Sequence, residues 1–116
     1  MTNTSISLII PCFNEQRRVT ESLEEIARFF SEEQLDFELL VVDDGSTDNT
    51  ASIVATLISS NPSLSKYAHL LQISHKGKGW AVRNGMVRAK GKYLFISDLD
   101  LSVSLTHLKD FVESME

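Results

Sequence analysis

Asp98 and Asp100 stand one residue apart in the stretch FISDLDLSVS, residues 95–104, directly behind an apolar run. Like charges repel at that range. Two carboxylates at the end of a strand are tolerable only if a cation sits between them or one of them holds a proton. A divalent cation is the first expectation. Other polar residues recur in the same relation to apolar runs: Asn14 and Glu15, Asp43 and Asp44, Lys76 and Lys78.

The elements that must position these groups are legible in the periodicity. Ile6 to Ile10, Phe37 to Val42, Ala68 to Ile73 and Lys92 to Ser97 read as four strands. Between and after them run helical stripes: Leu23, Ile26, Ala27 and Phe30; Ile53, Val54, Leu57 and Ile58; Val82, Gly85, Met86 and Ala89; Leu105, Leu108, Val112 and Met115. Asn14 is the expected N-cap of the first helix, with Glu15 in its first turn. The second is expected to stop before Asn61-Pro62, and Gly85 to permit close approach of the third helix to the sheet. No repeat, low-complexity tract or linker interrupts the pattern. Alternation of this kind predicts an α/β fold with a parallel sheet, βαβαβαβα, over a single partial domain spanning 1–116. Ligands of such sheets bind beyond the carboxyl ends of the strands. All four pairs of polar residues fall there and should converge on one crevice.

Bulk properties exclude several classes. The 116 residues are 42% hydrophobic and 23% charged, which suits one globular unit with a real core. A net charge of −5 argues against a nucleic-acid partner, which would need a clustered basic face. Cys12 is the single cysteine, so no internal disulfide forms, and a reducing compartment suits it. The start, MTNTSISLII, lacks the basic segment and long apolar run of a secretory leader. No segment reaches the roughly 20 apolar residues of a membrane span. The expectation is a soluble, cytoplasmic chain.

Four segments together carry a family resemblance: PCFNE at 11–15, VVDDGSTDNT at 41–50, GKGWAVRNGM at 77–86 and SDLDLS at 97–102. In this order and near this spacing they resemble the inverting family-two glycosyltransferases of GT-A fold. Within these, the chain is most similar to the branch of dolichyl-phosphate glucosyl- and mannosyltransferases and their polyprenyl-phosphate relatives. The resemblance covers essentially the whole chain.

The resemblance implies a Rossmann-like nucleotide-sugar-binding fold and transfer of a hexose from a UDP- or GDP-linked donor to a polyprenyl or dolichyl phosphate. It places Pro11, Phe13 and Glu15 against the nucleotide, with Phe13 where the family often has tyrosine. It assigns Val42 to the donor site and Asp44 to the base or ribose. Lys78 would stand near the nucleotide at a helix start, where the helix N-terminus adds to phosphate binding. Asp98 and Leu99 would also face the donor, Leu99 departing from the common alanine. Asp98 and Asp100 would hold Mg2+ or Mn2+, which neutralises the leaving diphosphate as a Lewis acid, the diphosphate and waters completing the coordination shell. The catalytic general base is expected past Glu116, together with the lipid-phosphate acceptor site. The 116 residues would then bind donor without transferring it, and an uncovered sheet would favour self-association. The whole protein would work at the cytoplasmic face of a membrane.

Plainer and rival readings exist. Asp43, Asp44 and Asp48 occur in a turn, and Asp48 or Thr47 is the expected cap of the second helix. Lys76, Lys78, Arg83 and Arg88 could form an exposed basic face. His69, His75 and His107 lack metal-ligand spacing. Cys12 and Trp80 read as packing residues. The Asp98-Asp100-Ser102 order also resembles the nucleophile motif of haloacid-dehalogenase-type phosphatases, although that motif normally closes the first strand. A third reading is a nucleotide-sugar-binding module without catalysis.

Overall fold

A computed structural model of the chain describes residues 5–33, 36–100 and 102–114. Four strands form one sheet: β1 (Ser5–Cys12), β2 (Asp36–Asp44), β3 (Ala68–Ile73) and β4 (Tyr93–Ile96). Their spatial order is β3-β2-β1-β4, and every pairing is parallel. The expected alternation is therefore present. The helices are α1 (Val19–Glu32), α2 (Thr50–Ser60), α3 (Pro62–Tyr67), α4 (Lys78–Arg88) and α5 (Ser102–Ser114). None of the described helices is long and apolar enough to cross a membrane.

Alternation along β1 sorts the two layers. Ile6, Leu8, Ile10 and Cys12 enter the larger core, shared with α1, α2, α3 and α5. Ile9 points the other way and packs with Leu40, Val42, Leu71 and Ala81 under α4. The larger core is anchored by Phe30, 2% exposed and stacked on Phe37 with centroids 4.6 Å apart. On the thinner side Gly85 does what its small size allows: a Cβ there would lie 2.6 Å from Ile9 Cγ2. Leu94 and Ile96, at the β4 edge, remain 40% and 48% exposed.

Two local expectations are corrected, for Asn14 and Trp80, and one, the stop before Asn61-Pro62, is met with an added short helix. Asn14 does not cap α1, which begins only at Val19 after Arg18. Its backbone is left-handed at φ 54, and its Oδ1 accepts from the backbone N–H groups of Thr47 at 2.8 Å and Asp48 at 3.3 Å. It ties the loop after β1 to the loop after β2. Asn61-Pro62 ends α2 but also starts α3, because Asn61 Oδ1 accepts from the N–H groups of Ser63 and Leu64 while Pro62 takes the first helical position. Six residues are too few to show a period. Trp80 is 41% exposed rather than packed, with the Lys76 ammonium 4.9 Å from its ring centre. Ala81 and Gly85 form the face of α4 that meets the sheet, and Trp80 stands beside that face.

Candidate nucleotide site

The order β3-β2-β1-β4 reverses direction between β1 and β4, and a crevice opens at such a switch point. It is a cavity of about 290 Å³ at the carboxyl ends of all four strands. The loop after β1 contributes Pro11, Phe13 and Glu15; β2 ends in Asp44; the turn after β3 brings His75, Gly77 and Lys78; Asp98 follows β4. The sequence reading placed six of these residues in the donor site.

Each side chain is held by a distinct device. Asp44 is 3% exposed, and its carboxylate accepts from the backbone N–H groups of Lys76 at 2.9 Å and Gly77 at 3.0 Å. His75 Nδ1 lies 2.9 Å from the same carboxylate, and the His75 ring stacks on Phe13 at 4.1 Å. The Lys78 ammonium donates to Asp98 Oδ1 at 2.8 Å across the mouth of the crevice. Lys78 is also the first residue of α4, whose leading N–H groups and positive dipole end favour an anion there.

The floor is rigid and acidic. Asp43 is 2% exposed; Oδ2 accepts from the Ser46 N–H at 3.2 Å, while Oδ1 is buried without a protein partner among the described residues. Beside it in register, Cys12 is buried, and its thiol is pushed up to about 12 by burial and then by the negative charges of Asp43, Glu15, Asp48 and Asp44. Burial acts to raise the Asp48 carboxyl. Hydrogen bonds from the Thr50 side chain and from the Thr50 and Gln16 backbones outweigh it and hold Asp48 below the usual carboxylate range. The N-cap of α2 is Asn49 rather than the expected Asp48 or Thr47; Asp48, one residue earlier, instead accepts from the Thr50 N–H at 2.9 Å.

The structure does not bring every assigned residue to the crevice wall. Val42 is fully buried in the layer under α4. Leu99 is 5% exposed, and its carbonyl accepts the Ser22 hydroxyl at 2.7 Å, which pins the segment after β4 to α1. Asp100 lies beyond Leu99 in a separate depression of about 350 Å³, with Arg17 and Arg18 on its far wall. Asp98 and Asp100 thus line neighbouring cavities. No group of three or more metal-ligating side chains occurs among the described residues, so bound phosphate and water would have to supply the remaining ligands. Of the three carboxylates lining the crevice, Glu15, Asp44 and Asp98, the last already accepts a cation: the Lys78 ammonium is on it. Hard-oxygen chemistry at Asp98 therefore fits Mg2+ or Mn2+. His75 escaped the sequence reading, which weighed it only as a metal ligand; its signal was its position at a strand end just ahead of Lys76-Gly77.

Comparison with known proteins fits this geometry. The model of glycosyl transferase family 2 matches residues 7–116. The dolichyl-phosphate beta-glucosyltransferase of Dictyostelium discoideum is 35% identical over 115 residues, covering 94% of this chain and 34% of that protein. The Saccharomyces cerevisiae protein of the same name is 29% identical and covers 95% and 34%. The chain spans about a third of the length of these curated relatives. A mannosyltransferase from Pyrobaculum calidifontis, solved with GDP-mannose and Mn2+, superposes with a TM-score of 0.75 at 28% identity, over 86% of this chain and 28% of that one. TarS residues 1–349 from S. aureus, solved with UDP-GlcNAc, gives 0.73 at 26% identity, over 96% and 32%.

Proposed function

Because the chain belongs to glycosyltransferase family 2, we propose that it is the donor-binding part of an inverting transferase. That enzyme moves a hexose from a UDP- or GDP-linked sugar to dolichyl or another polyprenyl phosphate. The observation that carries this reading is the Lys78–Asp98 pair in the switch-point crevice. It sets a carboxylate for a metal beside an ammonium and a helix N-terminus for phosphate. The names of the curated relatives support a lipid-phosphate acceptor, and the nucleotide sugars held by the structural neighbours support the donor class.

Asp98 is the residue that would hold Mg2+ or Mn2+, with Asp100 the second candidate. When bound, the cation neutralises charge on the departing diphosphate. Lys78 adds a second positive charge on the leaving-group side. Pro11, Phe13, Glu15 and the turn at 75–78 bound the nucleoside. Every carboxylate in the crevice stands among the nucleotide groups, so none is placed to deprotonate an acceptor on the opposite face. In this reading the 116 residues bind donor without transferring sugar, and the lipid acceptor sets the reaction at the cytoplasmic face of a membrane.

Calorimetry with UDP and GDP, each with and without MnCl2, tests the reading. Mn2+ is expected to tighten binding of one nucleotide, and Asp98→Asn to remove that gain. Failure of both nucleotides to bind in the presence of Mn2+ would sink it. A radiolabelled-sugar assay on polyprenyl phosphate tests whether these residues bind donor without transfer, where robust turnover by the 116-residue chain is the contrary result.

A further inference from the structure

Charge is divided along this chain. All sixteen aspartates and glutamates lie outside residues 49–97, and that segment holds seven of the eleven lysines and arginines. The net charge of −5 therefore conceals a cationic region within an acidic chain. Six of the seven cations follow β3, on α4 and on the loops at its two ends.

Exposed apolar side chains gather in the same place. The larger core takes α1, α2, α3 and α5, which leaves α4 the single described helix on its side of the sheet. Ala81 and Gly85 turn inward, while Trp80, Met86 at 45% exposure and Val87 at 75% remain in solvent. Leu94 and Ile96 pair in register with Ser7 and Ile9; Ile9 faces α4, so both point to that side of the sheet. With Phe13, these five are the large hydrophobic side chains exposed among the described residues. A cavity of about 300 Å³ continues the surface between β3 and α4, with His69, Leu71, Arg88 and Lys90 in its walls.

The cations here are not neutralised. Arg83, Arg88 and Lys90 form no ion pair among the described residues, and the Lys76 ammonium rests over the Trp80 ring. The bordering carboxylates are engaged, Glu38 by the Ser7 hydroxyl and the Lys90 N–H, Asp98 by Lys78. A partner for this face must be anionic and must also take in apolar side chains. A nucleic acid offers phosphates but nothing for Met86, Val87, Leu94 or Ile96 to enter. A second copy on a two-fold axis would set arginine against arginine. An anionic lipid surface meets both demands.

We propose that the outer side of α4 and the β4 edge dock on an anionic bilayer surface. Trp80, Met86, Val87, Leu94 and Ile96 enter the headgroup boundary, and Arg83, Arg88 and Lys90 meet the lipid charges. Because α4 begins at Lys78, docking sets the crevice mouth beside the headgroups. That consequence for a lipid-phosphate acceptor rests on the reading of the site given above; the docking itself does not.

Trp80 is the single tryptophan, so its emission reports on this face directly. With phosphatidylcholine vesicles containing about 30 mol% phosphatidylserine, the emission should shift to the blue, and binding should exceed that to pure phosphatidylcholine about tenfold or more. Arg83→Gln should weaken that binding about fivefold, the effect of one charge near the surface. Arg28→Gln removes the same charge from α1 on the opposite layer and should change binding less than about twofold. Val87→Ser should weaken it about threefold or more through lost apolar burial. Equal binding to both vesicles, binding without a blue shift, or equal losses in the two arginine variants would each overturn the proposal. A blue shift that grows with protein concentration in the absence of lipid, and is lost in Val87→Ser, would assign the face to a second copy and overturn it as well.

Discussion

The two ends of the sheet both carry a carboxylate held by a donor from another element, yet only one is built to exchange partners. At the amino ends of the strands, Ser7 is fully buried and its hydroxyl donates to Glu38 Oε2 at 2.5 Å. The Lys90 N–H donates to the same oxygen at 2.6 Å, and the Gly91 N–H to Ser7 Oγ at 2.8 Å. This clasp holds the segment between α4 and β4 onto the sheet. At the carboxyl ends, the Lys78 and Asp98 side chains are 64% and 67% exposed. An exposed pair of this kind contributes about 0–1 kcal/mol, so a metal or a phosphate can displace it. Polarity does not separate a clasp from a site; the ease of exchange does. By that measure Asp44, buried and bound by the loop after β3, resembles Glu38 more than Asp98.

The comparison breaks most visibly at Gly91. A Cβ there would lie 2.5 Å from Ser7 Oγ and 2.7 Å from Ser7 N, the second a backbone atom that cannot move aside. Gly91→Val should destabilise the fold by about 3 kcal/mol in urea denaturation, since overpacking typically costs about 1–3 kcal/mol and valine adds two methyl groups. Nucleotide affinity of the folded fraction should stay unchanged. A loss below about 0.5 kcal/mol would show that the clasp yields, and would remove the contrast with the opposite end.

Lys78→Met asks the same question at the site. Nucleotide binding should weaken about tenfold or more, because a charged hydrogen bond to phosphate contributes about 1.5–3 kcal/mol. Stability should remain within about 0.5 kcal/mol of wild type. A stability loss comparable to that of Gly91→Val would make Lys78–Asp98 a structural clasp.

The same distinction explains what the sequence disclosed. The β3 range, Ala68–Ile73, and the approach of Gly85 to Ile9 were legible because apolar period and small-residue placement act locally. Glu15, Asp44, Lys78 and Asp98 were likewise found by their position behind strands, a rule of topology, whereas Pro11 and Phe13 came only from the family resemblance. What stayed hidden depends on partners far away in sequence. Asn14 looks like a helix cap until the turn at 47–48 arrives beside it. Asp100 looks like the twin of Asp98 until Leu99 is buried between them and its carbonyl is tied to Ser22. His75 gains meaning only from Phe13, 62 positions earlier, and from Asp44.

Cys12 gives the smallest effect and sharpens the contrast within the site end itself, where an exchangeable rim lies over a fixed floor. Cys12 lies at the crevice wall, yet the residue is 4% exposed, its side chain enters the larger core, and the thiol pKa is raised from 9.0 to about 12, by burial first and neighbouring carboxylates second. The folded chain therefore holds the proton through a window in which the unfolded chain releases it. Between pH 9 and 12 the unfolded state binds fewer protons, so stability falls as pH rises. This contribution is fully present below pH 9 and lost progressively toward 12. By pH 10 it removes about 1 kcal/mol, on the scale of one pKa unit per 1.36 kcal/mol. Lysines and tyrosines titrate in the same range, so the measurement is a difference. Urea denaturation of wild type and Cys12→Ala at pH 8, 9 and 10 should show stability falling more steeply with pH in wild type. Parallel pH dependences would mean that the thiol ionises as freely in the folded chain as in the unfolded one. The floor of the crevice would then be as open to solvent as its rim, and the division between them would not hold.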